Sequence, residues 1–300
     1  MIDKSAYFLV GPTASGKSQT VHLLAKKLST SIISADSMNI YSKMDIGTAK
    51  PSLSMQKEVN YIGLNIVNPT EIYNVVEWLD YIKSSWNQFT NTPIVSGGTG
   101  LYLKCLIDGI ESNSGENESV RIEFEKLTLK QLQGLAKKNL FQEYEFLTPD
   151  DQKNRRRLIR LFERGTIENS WKNRVSPVIL GLYLNRKVLH ANIEKRVVEM
   201  FENGILDETE KLFKTKLSKT AKQAIGYQEI FEMFKGIHSK DEAIEKTIIR
   251  TRQLAKKQMT WFKNKMNVNW IDISDYKNIS DIVNTIYEIW INEKPTKICL

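Results

Sequence analysis

Cysteine and long apolar runs are scarce in this sequence. Its 300 residues include two cysteines, Cys105 and Cys299, which are too few for a disulfide framework and, without clustered histidines, for a structural zinc site. The first hydrophobic run is too short for a signal peptide, and no stretch reaches membrane-spanning length. We therefore expect a cytoplasmic protein without membrane association. We also expect it to act as a monomer.

Acidic residues are missing from one long stretch. The chain carries 43 lysines and arginines against 35 acidic residues, a net charge of +8. Residues 246–265 include several lysines and arginines but no acid, and Arg155, Arg156 and Arg157 stand in a row. Either cluster alone is consistent with a solvated face, with Arg250 and Lys257 exposed on a helix. Two clusters in one chain favour a polyanionic partner.

A phosphate-binding loop is present near the N-terminus. Residues 11–18 fit the pattern G-x-x-x-x-G-K-[ST] between an apolar run of strand length, 6–10, and a stretch with helical spacing, 18–29. The predicted diphosphate- or nucleotide-binding residues are Gly11, Pro12, Thr13, Ala14, Ser15, Gly16, Lys17 and Ser18. Backbone N–H groups and Lys17 would hold phosphate, and the Ser18 hydroxyl would hold Mg²⁺. A diphosphate suits the loop as well as a triphosphate does.

A carboxylate follows the second predicted strand. Asp36 comes directly after the segment 31–35, and the carboxyl ends of parallel strands form the ligand-binding edge of a sheet. We therefore expect Asp36 to face the same crevice as the phosphate loop. There it could accept a proton from a substrate, hold a metal-bound water, or cap the next turn.

The third predicted strand, 93–96, leads into Gly97-Gly98-Thr99-Gly100. Three glycines around one threonine indicate close backbone approach to a ligand or to the phosphate loop, unless they form a simple tight turn. Ser96 stands where a hydrolytic phosphate-loop enzyme usually keeps its magnesium-holding aspartate. This weakens an interpretation as an ATPase.

The remaining pattern predicts an α/β fold, with a parallel sheet flanked by helices as in P-loop NTPases and a helical insertion domain. The catalytic core would comprise 1–112 and 171–300, and the insertion 113–170. Other predicted elements are strands at 61–67, 177–184 and 268–273, and helices at 71–89, 155–164, 187–202, 244–266 and from 280 onward.

Several motifs together resemble those of the tRNA dimethylallyltransferases, also called tRNA isopentenyltransferases, the IPP transferase family. They are Gly11–Ser18, Asp36-Ser37 with Ile40-Tyr41, Met44–Pro51, Gly97–Tyr102, Ile225-Gly226-Tyr227 and Thr251–Phe262. The likeness runs through most of the chain.

The resemblance implies an enzyme that transfers the dimethylallyl group of dimethylallyl diphosphate to N6 of the adenosine at position 37 of tRNA, immediately 3′ of the anticodon. It implies Mg²⁺ as cofactor and the tRNA anticodon stem-loop as partner. Asp36, Lys17, Thr13 and Arg196 are then the catalytic candidates, with Asp36 as the proton acceptor and the other three around the diphosphate.

The same resemblance assigns residues to the tRNA channel. They are Asp36, Ser37, Met38, Asn39, Thr99, Arg121, Gln152, Lys153, Asn154, Arg155 and Arg156. Asn39 stands where many relatives have glutamine, so its contact with the base must differ in reach.

Three other functions fit parts of the pattern. A small-molecule kinase would use the loop and Asp36 but leaves the basic clusters unexplained. An adenylate isopentenyltransferase would keep the chemistry with free AMP or ADP as acceptor. A non-catalytic RNA-binding protein would retain tRNA without turning over the diphosphate.

Overall fold

The computed structural model describes residues 4–109, 118–164 and 177–300. The chain forms two compact units, one of residues 1–108 with 175–300 and one of residues 109–174. The sequence-based limits of the insertion, 113 and 170, lie just inside those of the second unit. Among the described residues, no helix is both long enough and apolar enough to cross a membrane.

The first unit is built on a parallel sheet. Its strands are β1 (Ser5–Val10), β2 (Ile32–Ser34), β3 (Tyr61–Ile62), β4 (Ile94–Gly97), β5 (Ile179–Tyr183), β6 (Asn269–Asp272) and β7 (Thr296–Lys297). They are ordered β3-β2-β4-β1-β5-β6 with every neighbour parallel, while β7 pairs antiparallel with β1. The predicted α/β fold with a parallel sheet is confirmed, although β7 was not predicted.

Helices connect the strands and form the second unit. In chain order they are α1 (Lys17–Leu28), α2 (Leu53–Glu58), α3 (Val75–Ser85), α4 (Gly100–Asp108), α5 (Glu118–Phe124), α6 (Leu129–Asn139), α7 (Phe141–Glu145), α8 (Pro149–Gln152), α9 (Arg155–Arg164), α10 (Arg186–Glu202), α11 (Ile205–Phe213), α12 (Lys219–Lys222), α13 (Tyr227–Phe234), α14 (Lys240–Lys265) and α15 (Ile279–Asn292). Short 3₁₀ turns lie at Trp86–Gln88 and Ile273–Asp275.

Both faces of the sheet are buried. Along β1, Phe8 and Val10 belong to one apolar cluster while Leu9, on the opposite face, belongs to another, and all three are fully buried. Such two-sided burial explains why β1 and β5 are apolar runs rather than alternating strands. The layers hold the loops at the carboxyl ends of the strands on a rigid base.

Two predicted elements are shorter than expected. The strand predicted at 61–67 ends after Ile62, because Gly63 adopts φ 97° and turns the chain beside the Ser34 carbonyl. The helix predicted at 71–89 begins only at Val75, where Asn74 caps it: its side chain accepts the Glu77 N–H while Glu77 accepts the Asn74 N–H. Apolar spacing continues beyond both ends, and local backbone geometry overrides it.

The second unit has its own small core. Leu132, Tyr144 and Leu158 are buried together, from α6, α7 and α9. Asn154 begins α9 by accepting the backbone N–H groups of Arg156 and Arg157 at 3.1 and 3.3 Å. The predicted bounds of this helix, 155–164, agree with the structure.

Candidate active site

Four neighbouring strands end at one edge of the sheet. The loop 11–16 follows β1, Asp36 follows β2, and Gly98 follows β4. β5 leads into α10, which carries Arg196. Because β2, β4, β1 and β5 are adjacent and parallel, these segments meet at the same edge, as expected from the sequence for the phosphate loop and Asp36.

The phosphate loop has the backbone shape that its sequence predicts. Gly16 and Ala14 adopt left-handed conformations, with φ of 77° and 62°. Gly16 precedes α1 without a side-chain cap, so the first N–H groups of this helix are left for a ligand. Ser15 is 1% exposed, and within the described residues its hydroxyl has no hydrogen-bond partner. These features suit a bound anion.

Three charged side chains interact at this edge. Burial is the largest cause that lowers the pKa of Lys17, to about 8, and the positive charge of Arg196 acts in the same direction against the carboxylate of Asp36. Burial also lowers the pKa of Arg196, again opposed by Asp36. Two cations beside one carboxylate leave a net positive charge, which favours binding of an anion.

Thr13 is held from two sides. Arg196 Nη1 donates to Thr13 Oγ1 at 2.9 Å, and the Thr13 N–H donates to Oε1 of Gln258 at 2.9 Å. A guanidinium group can only donate, so the hydrogen of the Thr13 hydroxyl remains for another acceptor. Thr13, Lys17, Asp36 and Arg196, the four catalytic candidates, are therefore connected in space.

Other parts of the chain fill the space beside the glycines of the segment 97–100. A Cβ on Gly97 would stand 2.1 Å from the Ala35 carbonyl oxygen, and one on Gly98 would stand 2.2 Å from Gln258 Nε2. A Cβ on Gly100 would stand 2.1 Å from the ring of Trp261. The close approach predicted from the sequence is present, but it is to the end of β2 and to α14. The approach of a ligand to this segment stays a prediction, and the segment is joined to the phosphate loop through Gln258.

Thr99 and the residues after Asp36 are bonded to each other. The Thr99 hydroxyl accepts the Ser37 N–H at 2.9 Å and donates to the Ser37 hydroxyl at 3.2 Å. Asp36 Oδ1 accepts the Met38 N–H at 2.9 Å, so this aspartate also caps its turn. In the described part of the chain the buried Asn39 Oδ1 has no partner. The predicted tRNA-contacting residues 36–39 therefore form one segment beside the charged groups, and Thr99 is hydrogen-bonded to it.

The buried side chain of Lys50 connects the segment 41–45 with Asn65. Lys50 Nζ donates to the Tyr41 carbonyl at 2.5 Å and to Oδ1 of Asp45 and Asn65 at 2.7 and 2.6 Å, with 2% of its side chain exposed. Burial lowers its pKa, although Asp45 and Glu208 act in the opposite direction.

Glu208 is a structural residue that sequence reasoning missed. Its carboxylate accepts the backbone N–H groups of Asp45, Ile46 and Gly47 at 2.8–3.2 Å and the Tyr227 hydroxyl at 2.5 Å. Burial and then the Glu208 charge raise the pKa of Tyr227. A glutamate on the amphipathic α11 gives no sign of this role in the sequence, but the motif 44–51 that it holds was recognised.

Comparison with known proteins identifies the family. The family model of the IPP transferases matches residues 39–265, and the isopentenyl transferase model matches residues 4–66. The chain belongs to the IPP transferase family. The tRNA dimethylallyltransferase of Lactococcus lactis is 37% identical to it over 282 residues, which cover 91% of this chain and 94% of that protein. The resemblance drawn from the motifs is confirmed.

Solved structures of IPP transferases share the fold. The tRNA isopentenylpyrophosphate transferase of Bacillus halodurans is 33% identical, with a TM-score of 0.69, covering 95% of this chain and 96% of that one. A eukaryotic dimethylallyltransferase acting on tRNA is 24% identical, with a TM-score of 0.78, covering 98% of this chain and 81% of that one. The second likeness concerns the fold alone. The P-loop NTPase-like fold of these relatives confirms the predicted fold class.

The basic helix of this IPP transferase is less exposed than its sequence predicts. Arg250 was expected to face solvent, but it pairs with the buried Glu229 and donates to the Gln228 side chain at 2.9 Å. Arg252 likewise forms an ion pair, with the carboxylate of Glu194. Lys257 remains exposed. Charge periodicity alone does not reveal acids that neighbouring helices bring to the basic face.

Most of the RNA-contact candidates in the second unit have structural partners. Gln152 Nε2 donates to the Tyr144 carbonyl at 3.1 Å, and Arg155 Nη2 donates to two backbone carbonyls at 2.8 and 2.9 Å. Arg121 pairs with Glu163 at 2.9 Å, and Asn154 caps α9.

Lys153 and Arg156 differ from these four. Both side chains are exposed and make no hydrogen bond or ion pair within the described residues. Among the candidates of this unit, they have the cationic groups most accessible to a phosphate backbone.

Proposed function

We propose that this chain transfers the dimethylallyl group of dimethylallyl diphosphate to N6 of the adenosine immediately 3′ of the anticodon in tRNA. The carrying observation is that relatives named tRNA dimethylallyltransferase are 33–37% identical over about nine-tenths of the chain. The geometry supports the same conclusion, since Lys17 and the Thr13 hydroxyl of the phosphate loop lie close to Arg196 and Asp36. A small-molecule kinase accounts for the loop but not for this similarity.

The phosphate loop would hold the leaving group. The N–H groups at the start of α1, Lys17 and Arg196 would bind the diphosphate and stabilise its growing charge. The Thr13 hydroxyl, already an acceptor for Arg196, would donate its hydrogen to a diphosphate oxygen. Stabilisation that increases as the bond breaks lowers the barrier rather than only the Michaelis constant.

We expect a magnesium ion to bind this site together with the diphosphate. Within the described residues, no group of three or more histidine, cysteine, aspartate or glutamate side chains could hold a metal. Mg²⁺ commonly binds one or two protein oxygens, substrate phosphates and water. The exposed Ser18 hydroxyl would supply the protein ligand, and the ion would neutralise charge on the departing diphosphate.

Asp36 would act on the acceptor. As the adenine N6 forms its bond to the allylic C1, the C1–O bond breaks, its electron pair leaves with the diphosphate, and a proton passes from N6 to Asp36. An exocyclic amine is a poor nucleophile, so alignment by Asp36 and by the segment 37–39 would supply much of the rate. The base must first leave the stack of the anticodon loop, which costs a few kcal/mol.

The experiment is incubation of the purified protein with isotopically labelled dimethylallyl diphosphate, Mg²⁺ and an unmodified tRNA transcript, followed by nucleoside analysis. We expect label in N6-(dimethylallyl)adenosine, and none when the target adenosine is replaced by guanosine. Parallel reactions with AMP and ADP test the free-nucleotide alternative, and ADP release from ATP with small acceptors tests a kinase. Retention of tRNA without transfer would overturn the proposal.

Cellular location and assembly remain predictions from the sequence. We expect a cytoplasmic monomer, to be tested by fractionation and by light scattering of the purified protein.

A further inference from the structure

Gln258 on α14 joins two segments of the site. Its Oε1 accepts the Thr13 N–H at 2.9 Å, and its Nε2 donates to the Gly98 carbonyl at 3.2 Å. A backbone N–H can only donate and a carbonyl can only accept, so these partners determine which end of the amide faces which segment. One side chain therefore connects the phosphate loop with the turn after β4.

Space for this side chain is made by the absence of another. A Cβ on Gly98 would lie 2.2 Å from Gln258 Nε2, a distance that would displace the carboxamide. The same Cβ would lie 3.7 Å from Asp36 Oδ2, so Gly98 is near the proposed proton acceptor as well. The absence of a side chain at Gly98 thus permits the hydrogen bond from Gln258.

The two bonds to Thr13 have different consequences. Gln258 holds its backbone from α14, and Arg196 holds its hydroxyl oxygen from α10. With the oxygen occupied by a donor, the hydroxyl hydrogen has to point toward another acceptor. The direction of this hydrogen depends on how the Thr13 residue is oriented. The hydrogen bond between the Thr13 N–H and Gln258 limits that orientation.

We propose that Gln258 is a positioning residue for prenyl transfer, which acts by holding Thr13 and the turn at Gly98 in register across the site. The inference rests on the proposed function, because Thr13 matters there as a donor to the leaving group. We assign Gln258 an effect that passes through Thr13, whose backbone it holds, rather than a direct contact with a substrate. An error of about 1 Å in such a group is enough to lower a rate about a hundredfold.

The test uses Gln258→Met, which keeps the length of the side chain but makes neither hydrogen bond. Gln253→Met is the matched control, since Gln253 is an exposed glutamine on the same helix. For both variants we would measure the single-turnover rate of transfer at saturating donor, the affinity for inorganic pyrophosphate and the melting temperature. Gln258→Ala repeats the measurement if Gln258→Met does not fold.

We expect Gln258→Met to lower the single-turnover rate about 10- to 100-fold and the pyrophosphate affinity about 3- to 10-fold, with tRNA affinity within about twofold. Gln253→Met should change none of them. In a Thr13→Ala background the further loss from Gln258→Met should be less than about threefold, because the two residues act through one group.

Three results would overturn the inference: an unchanged rate with a lower melting temperature, a loss of tRNA affinity as large as the loss of rate, or full additivity with Thr13→Ala. Failure of the proposed function is distinguishable from these. If the wild-type protein transfers no prenyl group, a pyrophosphate affinity that falls in Gln258→Met but not in Gln253→Met still supports the positioning role.

Discussion

The polar side chains in the crevice of the first unit and in the α8–α9 region of the second differ in their hydrogen-bond partners. In the crevice, Lys17 is half-buried and its pKa is lowered by desolvation. The Ser15 hydroxyl has no partner among the described residues, and the Thr13 hydroxyl keeps a hydrogen to donate. In the α8–α9 region, Gln152 and Arg155 are bonded to backbone carbonyls.

The difference concerns what folding leaves available for a ligand. A buried polar group without a partner costs stability, about 1–3 kcal/mol, so its retention is a reason to assign it to binding. A polar side chain that closes a local turn has a sufficient structural reason to be there. Residue type and position in a motif do not separate these two cases, but hydrogen-bond partners do.

Loss of the Asp36 carboxylate in the crevice should reduce the rate of prenyl transfer more than any other change proposed here. Asp36→Asn keeps an oxygen for the Met38 N–H but removes the proton acceptor, so the single-turnover rate of prenyl transfer should fall about a hundredfold or more. Affinity for tRNA, measured by filter binding, should stay within a few-fold. Equal losses of rate and affinity would make Asp36 a structural residue, and the contrast with the second unit would disappear.

The lowered pKa of Lys17 predicts that the affinity for pyrophosphate depends on pH. With its pKa lowered to about 8, Lys17 loses its proton as pH rises through that value, so its attraction for pyrophosphate is present below pH 8 and declines above it. Affinity should then fall by up to about tenfold per pH unit. Calorimetric titration should show that Lys17→Met binds pyrophosphate more weakly than the wild-type protein at low pH. Its affinity should vary with pH only through the ionisation of pyrophosphate itself. Identical profiles for the two proteins would contradict this role.

The exposed cations of the second unit should act through salt. Lys153→Ala and Arg156→Ala should each lower the slope of log affinity for tRNA against log salt concentration by about 1, because each removes one phosphate contact. Their melting temperatures should not change. An unaltered slope in the double variant would assign both side chains to ordinary solvent exposure.

Arg155→Ala is the matched comparison and should give the smallest effect. Loss of its bonds to the Glu125 and Leu127 carbonyls should cost about 1 kcal/mol of stability, with the salt slope unchanged. Urea unfolding would measure the first and tRNA titration the second. A full loss of slope without loss of stability would show that Arg155, like its neighbours, serves RNA.

Local patterns explain what could be predicted. The phosphate loop is recognisable because eight consecutive residues and their flanking strand and helix determine its shape. Asp36 could be placed because all carboxyl ends of parallel strands meet at one edge. The family, and with it Thr13 and Arg196, followed from motifs of several residues each.

Contacts between distant residues explain what was missed. Gln258 lies 245 residues from Thr13, and Glu208 lies 163 residues from Asp45. Neither has a local signal, because a glutamine and a glutamate on helices look like surface residues. Arg250 was assigned to the surface for the same reason, since its partner Glu229 comes from another helix.

The parallel α/β fold, the phosphate loop, the acid beside it and the family could be predicted because each depends on neighbours along the chain or on a rule of topology. Which polar groups are already bonded could be seen only in the folded chain. That distinction separates Arg155 from Arg156 and Gln258 from Gln253, because hydrogen bonding and burial are properties of the packed chain.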